Sequence, residues 1–276
     1  MDPKIGLGTY RLLGDACTQA VKDAAQIGYR MIDTATYYHN FDGIAAALKS
    51  LDRSQFYIIS KAWHDRQAPE DLFQDLEETL RQMQIQTLDA YLLHWPNSKM
   101  SIRKTLAAMQ QLQGEGKIRH IGLSNVSVNH LKKVLDMGFA IQWVQVEMHP
   151  FFYDGPLLEF CRLHAIAVQA WRPLDLGRIN ADPVLVQIGS KYGKTACQVA
   201  LRWIVQHGCV PLPKSTKKEH LKENFDIFNF SLSQEEMEGI NQRALSGDRY
   251  RMTLDHGLGF TDEFDFSYEE CWPSDV

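Results

Sequence analysis

Short apolar runs alternate along this chain with longer stretches in which apolar residues recur every three or four positions. The runs fall at residues 5–9, 28–32, 55–61, 88–94, 118–124, 141–146, 165–171 and 209–212, each the length of a buried strand. The longer stretches carry stripes of helical spacing, such as Ala20, Val21, Ala24 and Ile27, then Leu72, Leu76, Leu80 and Met83, then Leu131, Val134 and Leu135. Their ends are marked as well. Pro69 with Glu70 and Asp71 opens one helix, Ser127 caps another that Gly138 ends, and Asp182-Pro183 starts a third. Thr216-x-x-Glu219 and Ser233-x-x-Glu236 both read as capping boxes.

Eight strands are each followed by a helix, with one further helix after the seventh strand and another after the eighth. This order predicts an α/β fold, a (β/α)8 TIM barrel, more readily than a doubly wound sheet, which usually stops at fewer strands. A length of 276 residues fits one such domain over 1–276. The segment 246–276 loses periodicity but holds Phe260, Phe264, Phe266, Tyr268 and Trp272, so it is expected to pack as a loop over the active-site end of the barrel. Gly6 and Gly8 hint at a dinucleotide fingerprint, but the third glycine position is Arg11. A close backbone approach or a tight turn is the better use of them.

Composition narrows the partners. With 45% hydrophobic residues, 23% charged residues and a net charge of −5, the chain reads as an ordinary globular protein without a basic face for nucleic acid. No signal peptide and no membrane-length apolar run is evident, so a cytoplasmic protein with no membrane partner is expected, acting as a monomer. Cys17, Cys161, Cys197, Cys209 and Cys271 are scattered and form no Cys-x-x-Cys pair, which argues for reduced structural thiols.

On a barrel, the strand ends would gather Asp33 and nearby Tyr38, Lys61, His94, Ser124, Asn125, Gln145, Lys214 and Ser215 at one face. A tyrosine is a poor acid near neutrality. An ammonium at Lys61 beside Tyr38 favours the phenolate and is expected to lower the tyrosine pKa, while Asp33 keeps the lysine charged and His94 donates to the same substrate oxygen. Such a set suits protonation of a carbonyl oxygen during reduction. Plainer uses exist: Asp33 and Thr34 as turn or cap residues, His94 as a satisfied core histidine, the lysines of 214–222 as a solvated helix start. Lys61 has the weakest plain reading, since a buried lysine needs a partner.

Six motifs, in order from about residue 4 to 245, resemble the aldo-keto reductases. They are Gly28-Tyr29-Arg30-x-Ile32-Asp33-Thr34-Ala35-x-x-Tyr38-x-Asn40, Ser60-Lys61-x-Trp63, Leu92-Leu93-His94-Trp95-Pro96, Gly116-Lys117-Ile118-Arg119-x-Ile121-Gly122-x-Ser124-Asn125, Gln145-Val146-Glu147-x-His149-Pro150 and Pro213-Lys214-Ser215. The resemblance implies a barrel that uses NADPH without a Rossmann domain to reduce small aldehydes or ketones. It makes Tyr38 the general acid, Lys61 and Asp33 its tuning pair and His94 the carbonyl-orienting residue. Ser124, Asn125 and Gln145 would hold the nicotinamide carboxamide, and Trp171 would stack where the family often has tyrosine. Lys214, Ser215 and Lys217 would bind the 2′-phosphate, with Glu223 and Asn224 on the adenine. Trp63 and Trp95, with His94, would shape the substrate pocket.

Departures from the pattern are also informative. Phe41 replaces the usual glutamate after Asn40, a matter of helix packing. His220 stands in place of an arginine on the adenine, which weakens NADPH preference and opens dual use of NADH. The N-terminal hairpin that closes the family's barrel floor is missing. Two other functions compete: a non-enzymatic NADP(H)-binding protein of the same fold, and a metal-dependent barrel hydrolase using His39, His64, His94 and His149. The second is disfavoured because no His-x-His or tight carboxylate-histidine cluster is present, and no metal ligand is assigned.

Overall fold

The computed structural model describes residues 4–97 and 99–245. Among them β1 (Leu7–Gly8), β2 (Met31–Asp33), β3 (Tyr57–Ala62), β4 (Leu88–Leu93), β5 (Ile118–Ser124), β6 (Trp143–Glu147), β7 (Ala167–Trp171) and β8 (Val210–Pro211) lie parallel and side by side in chain order. The helices are α1 (Gly14–Ile27), α2 (Phe41–Leu48), α3 (Pro69–Met83), α4 (Ile102–Gly114), α5 (Val128–Asp136), α6 (Gly155–Leu163), α7 (Pro183–Tyr192), α8 (Ala196–Gln206), α9 (Lys218–Phe225) and α10 (Gln234–Leu245). Each of the first six follows the strand of its own number, α7 and α8 both follow β7, and α9 and α10 follow β8. The extra helices therefore stand where the sequence places them. The expected packing of 246–276 lies outside the described residues, as does Cys271.

The ring closes between its two shortest strands. The amides of Gly6 and Gly8 donate to the carbonyls of Pro211 and Pro213, 3.0 Å each. A Cβ on Gly8 would stand 2.6 Å from the Leu212 carbonyl oxygen, so only glycine lets β1 come this close. The two glycines serve the close approach expected of them.

Packing divides into two cores. Helices and the outer faces of the strands share one large apolar cluster, in which Phe41 is buried at the start of α2. Inside the barrel a smaller one forms from Met31, Ile59, Ala90, Leu92 and Leu212. Gly122 leaves room for it, since a Cβ there would meet Leu92 Cγ at 2.6 Å and the Trp143 carbonyl oxygen at 2.9 Å. Tyr57 and Trp143 pack beneath, joined by a 2.6 Å bond from Trp143 Nε1 to the Tyr57 hydroxyl. This aromatic pair fills the floor.

Most helix starts obey local chemistry. Ser127 accepts from the His130 amide, Asp182 from that of Leu185, and Ser233 and Glu236 cap reciprocally at 3.1 and 2.9 Å. The Thr216 box fails: the N-cap of α9 is Lys217, with no side-chain cap. Ser215 Oγ accepts from the Lys217 amide at 3.0 Å, and that turn displaces the helix start by one residue. Cys17, Cys161, Cys197 and Cys209 are buried free thiols, and burial pushes the first of them up to about 12. Among the described residues no helix is long and apolar enough to cross a membrane.

Candidate active site

The candidate side chains are set by the ends of the strands. Asp33 closes β2, Lys61 is the penultimate residue of β3, and His94 follows β4 directly. Tyr38 ends a 3-10 turn, Thr36–Tyr38, that His39 stops in the left-handed region at φ 51°. Side chains brace this turn from below. Thr36 Oγ1 lies 3.1 Å from the Lys61 carbonyl oxygen and 2.9 Å from Asp75 Oδ2, which also accepts from the Tyr91 hydroxyl at 2.6 Å. Thr34 donates to Asn40 Oδ1 at 2.7 Å, and Asn40 Nδ2 donates to the Thr9 carbonyl at 2.9 Å.

Lys61 is fully buried, and every direction its ammonium needs is supplied. It donates to Asp33 Oδ2 at 2.9 Å, to the Thr34 carbonyl at 2.9 Å and to the Tyr38 hydroxyl at 3.3 Å, and it lies 2.8 Å from Asp33 Oδ1. Burial lowers the Lys61 pKa, and Asp33 resists that shift. His94 is held well below the ordinary histidine value by burial first, then by the charge of Lys61 and by His64, so its ring is neutral near pH 7. Its Nδ1 is buried with no hydrogen-bond partner among the described residues.

The expectation for Tyr38 needs correcting. Its pKa is raised well above 10, by burial first and then by the charge of Asp33 and by Tyr10. The Lys61 charge is already neutralised by Asp33, so desolvation of the phenolate wins. The hydroxyl is therefore held protonated.

Around this centre, Gln145 donates to Asp33 Oδ1 and to Gln169 Oε1, both at 2.8 Å. Asn125, in the left-handed region at φ 60°, donates to the His94 carbonyl at 2.9 Å and to Ser124 Oγ at 3.1 Å. Its Oδ1 accepts from Trp171 Nε1 at 2.9 Å, which fixes the plane of a half-buried indole. Trp63 stacks on Tyr37 at 4.1 Å and meets the His94 ring edge-on at 5.0 Å, while Trp95 is buried. Tyr10 adds a half-exposed ring 5.0 Å from that of Tyr38.

Beyond β8 the chain presents Lys214, Lys217 and His220 to solvent, with Ser215 and Asn224 buried between them. Among the described residues neither Lys214 nor Lys217 has a carboxylate within ion-pairing distance, whereas Lys218 is held 2.9 Å from Asp23. Glu223 accepts a 2.7 Å bond from Thr195, the cap of α8. Among the described residues no group of three or more His, Cys, Asp or Glu side chains is close enough to hold a metal ion.

Three partners were not read from the sequence. Asp75 sits within the buried stripe of α3, where a carboxylate among Leu72, Leu76 and Leu80 is itself a signal. Gln169 precedes Trp171 by two positions and so shares its side of β7. Tyr10 follows β1 as the other site residues follow their strands.

Comparison with known proteins agrees with the fold. Residues 4–244 match the Aldo/keto reductase family. The glyoxal reductase of Bacillus subtilis is 40% identical over 250 residues, covering 89% of this chain and 90% of that one. The methylglyoxal reductase DkgA of Escherichia coli is 33% identical, over 85% and 87%. The aldose reductase of Schistosoma japonicum superposes with a TM-score of 0.87 at 30% identity, over 98% of this chain and 100% of that one. With this match over residues 4–244 and relatives of this identity and coverage, the chain belongs to the aldo/keto reductase family.

Proposed function

We propose that this protein is an NAD(P)H-dependent reductase of small aldehydes and ketones, an oxidoreductase acting on the alcohol–carbonyl couple with Tyr38 as general acid. The observation that carries this reading is the buried Lys61 ammonium, bonded at once to Asp33, the Thr34 carbonyl and the Tyr38 hydroxyl. A substrate carbonyl oxygen placed between Tyr38 and the neutral His94 meets a proton donor that is fully loaded at neutral pH. As negative charge develops on that oxygen the Tyr38 proton passes to it, and the phenolate left behind faces the Lys61 ammonium. His94 holds the oxygen in line without carrying charge of its own.

NADPH fits the residues present, and when bound it supplies the hydride. Ser124, Asn125, Gln145 and Trp171 would hold its nicotinamide end. Lys214, Ser215 and Lys217 would take the 2′-phosphate, with His220, Glu223 and Asn224 about the adenine. The unpaired state of Lys214 and Lys217 among the described residues supports an anion there, and the exposed His220, in place of an arginine, supports use of NADH as well. The names of two relatives make glyoxal and methylglyoxal the first substrates to try.

The test is turnover of those aldehydes with NADPH, followed by reduced-nicotinamide absorbance, for the wild type and Tyr38→Phe. The variant should lose turnover by about 10²–10⁴-fold while binding NADPH as the wild type does. Undiminished turnover would remove Tyr38 from its role, and none in the wild type over a broad carbonyl panel would favour a binding protein.

A further inference from the structure

We propose that Gln169 is a positioning residue: it fixes the orientation of the Gln145 amide and, through it, of Asp33. The inference rests on the reductase reading above. Gln145 and Gln169 are register partners across β6 and β7, and both are buried, at 1% and 0% exposure. A primary amide has two N–H donors. Those of Gln145 go to Asp33 Oδ1 and to Gln169 Oε1, both at 2.8 Å.

Turning the Gln145 amide over would set its oxygen against the Asp33 carboxylate and the Gln169 carbonyl, with no hydrogen between any of them. Gln169 and Asp33 together therefore keep Gln145 Oε1 turned away from both, as an acceptor for an amide N–H such as that of a nicotinamide carboxamide. Gln169 is itself left incomplete by this arrangement. Its Nε2 is buried and has no hydrogen-bond partner among the described residues, a rare condition in a folded protein. Reversing Gln169 would bring that donor against Nε2 of Gln145, donor to donor. The side chain is held in place by what it accepts.

Neutrality is part of the design. A glutamate would accept the same bond, but it would set a second negative charge near Asp33, where Lys61 supplies one positive charge. Gln169 gives the acceptor and leaves that pair balanced.

The experiment uses the full chain with Gln169→Leu and Gln169→Glu. It reads kcat and KM against pH, NADPH affinity by fluorescence titration without substrate, and melting temperature. Gln169→Leu should lower kcat about tenfold at every pH, the effect of one lost buried hydrogen bond, and weaken NADPH binding. Gln169→Glu should turn over like the wild type at acid pH, where the buried carboxyl is protonated, and lose activity as pH rises and it ionises. A lower melting temperature for Gln169→Leu with wild-type kcat, KM and NADPH affinity would overturn the inference, and so would a wild-type pH profile for Gln169→Glu. If the wild type itself reduces no carbonyl, the reductase reading fails. The NADPH titration then decides alone: weaker binding by Gln169→Leu supports the role and unchanged binding rejects it.

Discussion

The lower and upper halves of the barrel interior are made by the same strands and do opposite work. Below, Met31, Ile59 and Leu92 meet in an apolar cluster. Two residues further along those strands stand Asp33, Lys61 and His94. Gly122 gives way to Ser124 and Trp143 to Gln145 in the same manner. Because side chains alternate along a strand, position i+2 returns to the same face one step higher. One change of residue type, made at one level on five strands, turns a packed core into a site that holds charge out of water. Below, shape complementarity supplies rigidity. Above, rigidity comes from the three hydrogen bonds that the Lys61 ammonium donates, to Asp33, the Thr34 carbonyl and the Tyr38 hydroxyl.

Extending the apolar level upward should break the comparison most severely. Lys61→Met leaves the Asp33 carboxylate buried without its cation, so turnover should fall by about 10²–10⁴-fold and stability by about 3–5 kcal/mol. The double variant Asp33→Leu/Lys61→Met should regain most of the stability in denaturant titrations and none of the turnover. Recovery of both would show that the two levels are not separate in function. Leu92→Ala, one level below His94, should do the reverse, costing about 2–5 kcal/mol with kcat and KM near wild type wherever the variant is folded. Gly122→Ala forces a methyl group against Leu92 and the Trp143 carbonyl and should cost about 1–3 kcal/mol.

The smallest effect is a pH slope. The folded chain keeps His94 neutral, whereas the unfolded chain binds a proton there below about pH 6.5, so the unfolded state holds more protons and stability falls as pH drops. His94→Asn should flatten that slope by up to about 1.4 kcal/mol per pH unit, read as the difference between the two proteins' unfolding curves. His64, His130 and His207 are depressed in the same direction and remain in both. An unchanged slope would mean that His94 is charged in the folded protein.

The period of two is why so much of the site was legible. Asp33, Lys61 and His94 each interrupt an apolar run at its C-terminal end, and a strand end is where a parallel barrel collects chemistry. Gln169 follows the same rule but stands inside the run 165–171, where a single amide reads as ordinary strand composition. The sign of the Tyr38 shift was out of reach for another reason. It depends on whether desolvation or the Lys61 charge is larger, and that balance is set by three-dimensional burial and by how fully Asp33 neutralises the lysine. The segment after Trp171, where Arg172, Asp175, Leu176 and Gly177 all take positive φ, carries no repeat for a sequence pattern to find.

The seam between β8 and β1 has a consequence in time. Pro211 and Pro213 accept from Gly6 and Gly8 but have no N–H to return, so this one junction of the ring is hydrogen-bonded from a single side. Opening it requires parting the two bonds donated by Gly6 and Gly8. The Gly6 and Gly8 amides should accordingly exchange with solvent deuterium ahead of the rest of the sheet, and the lysines just past Pro213 would swing with the gap. The singly bonded seam of the ring therefore lies beside the residues proposed to grip a dinucleotide.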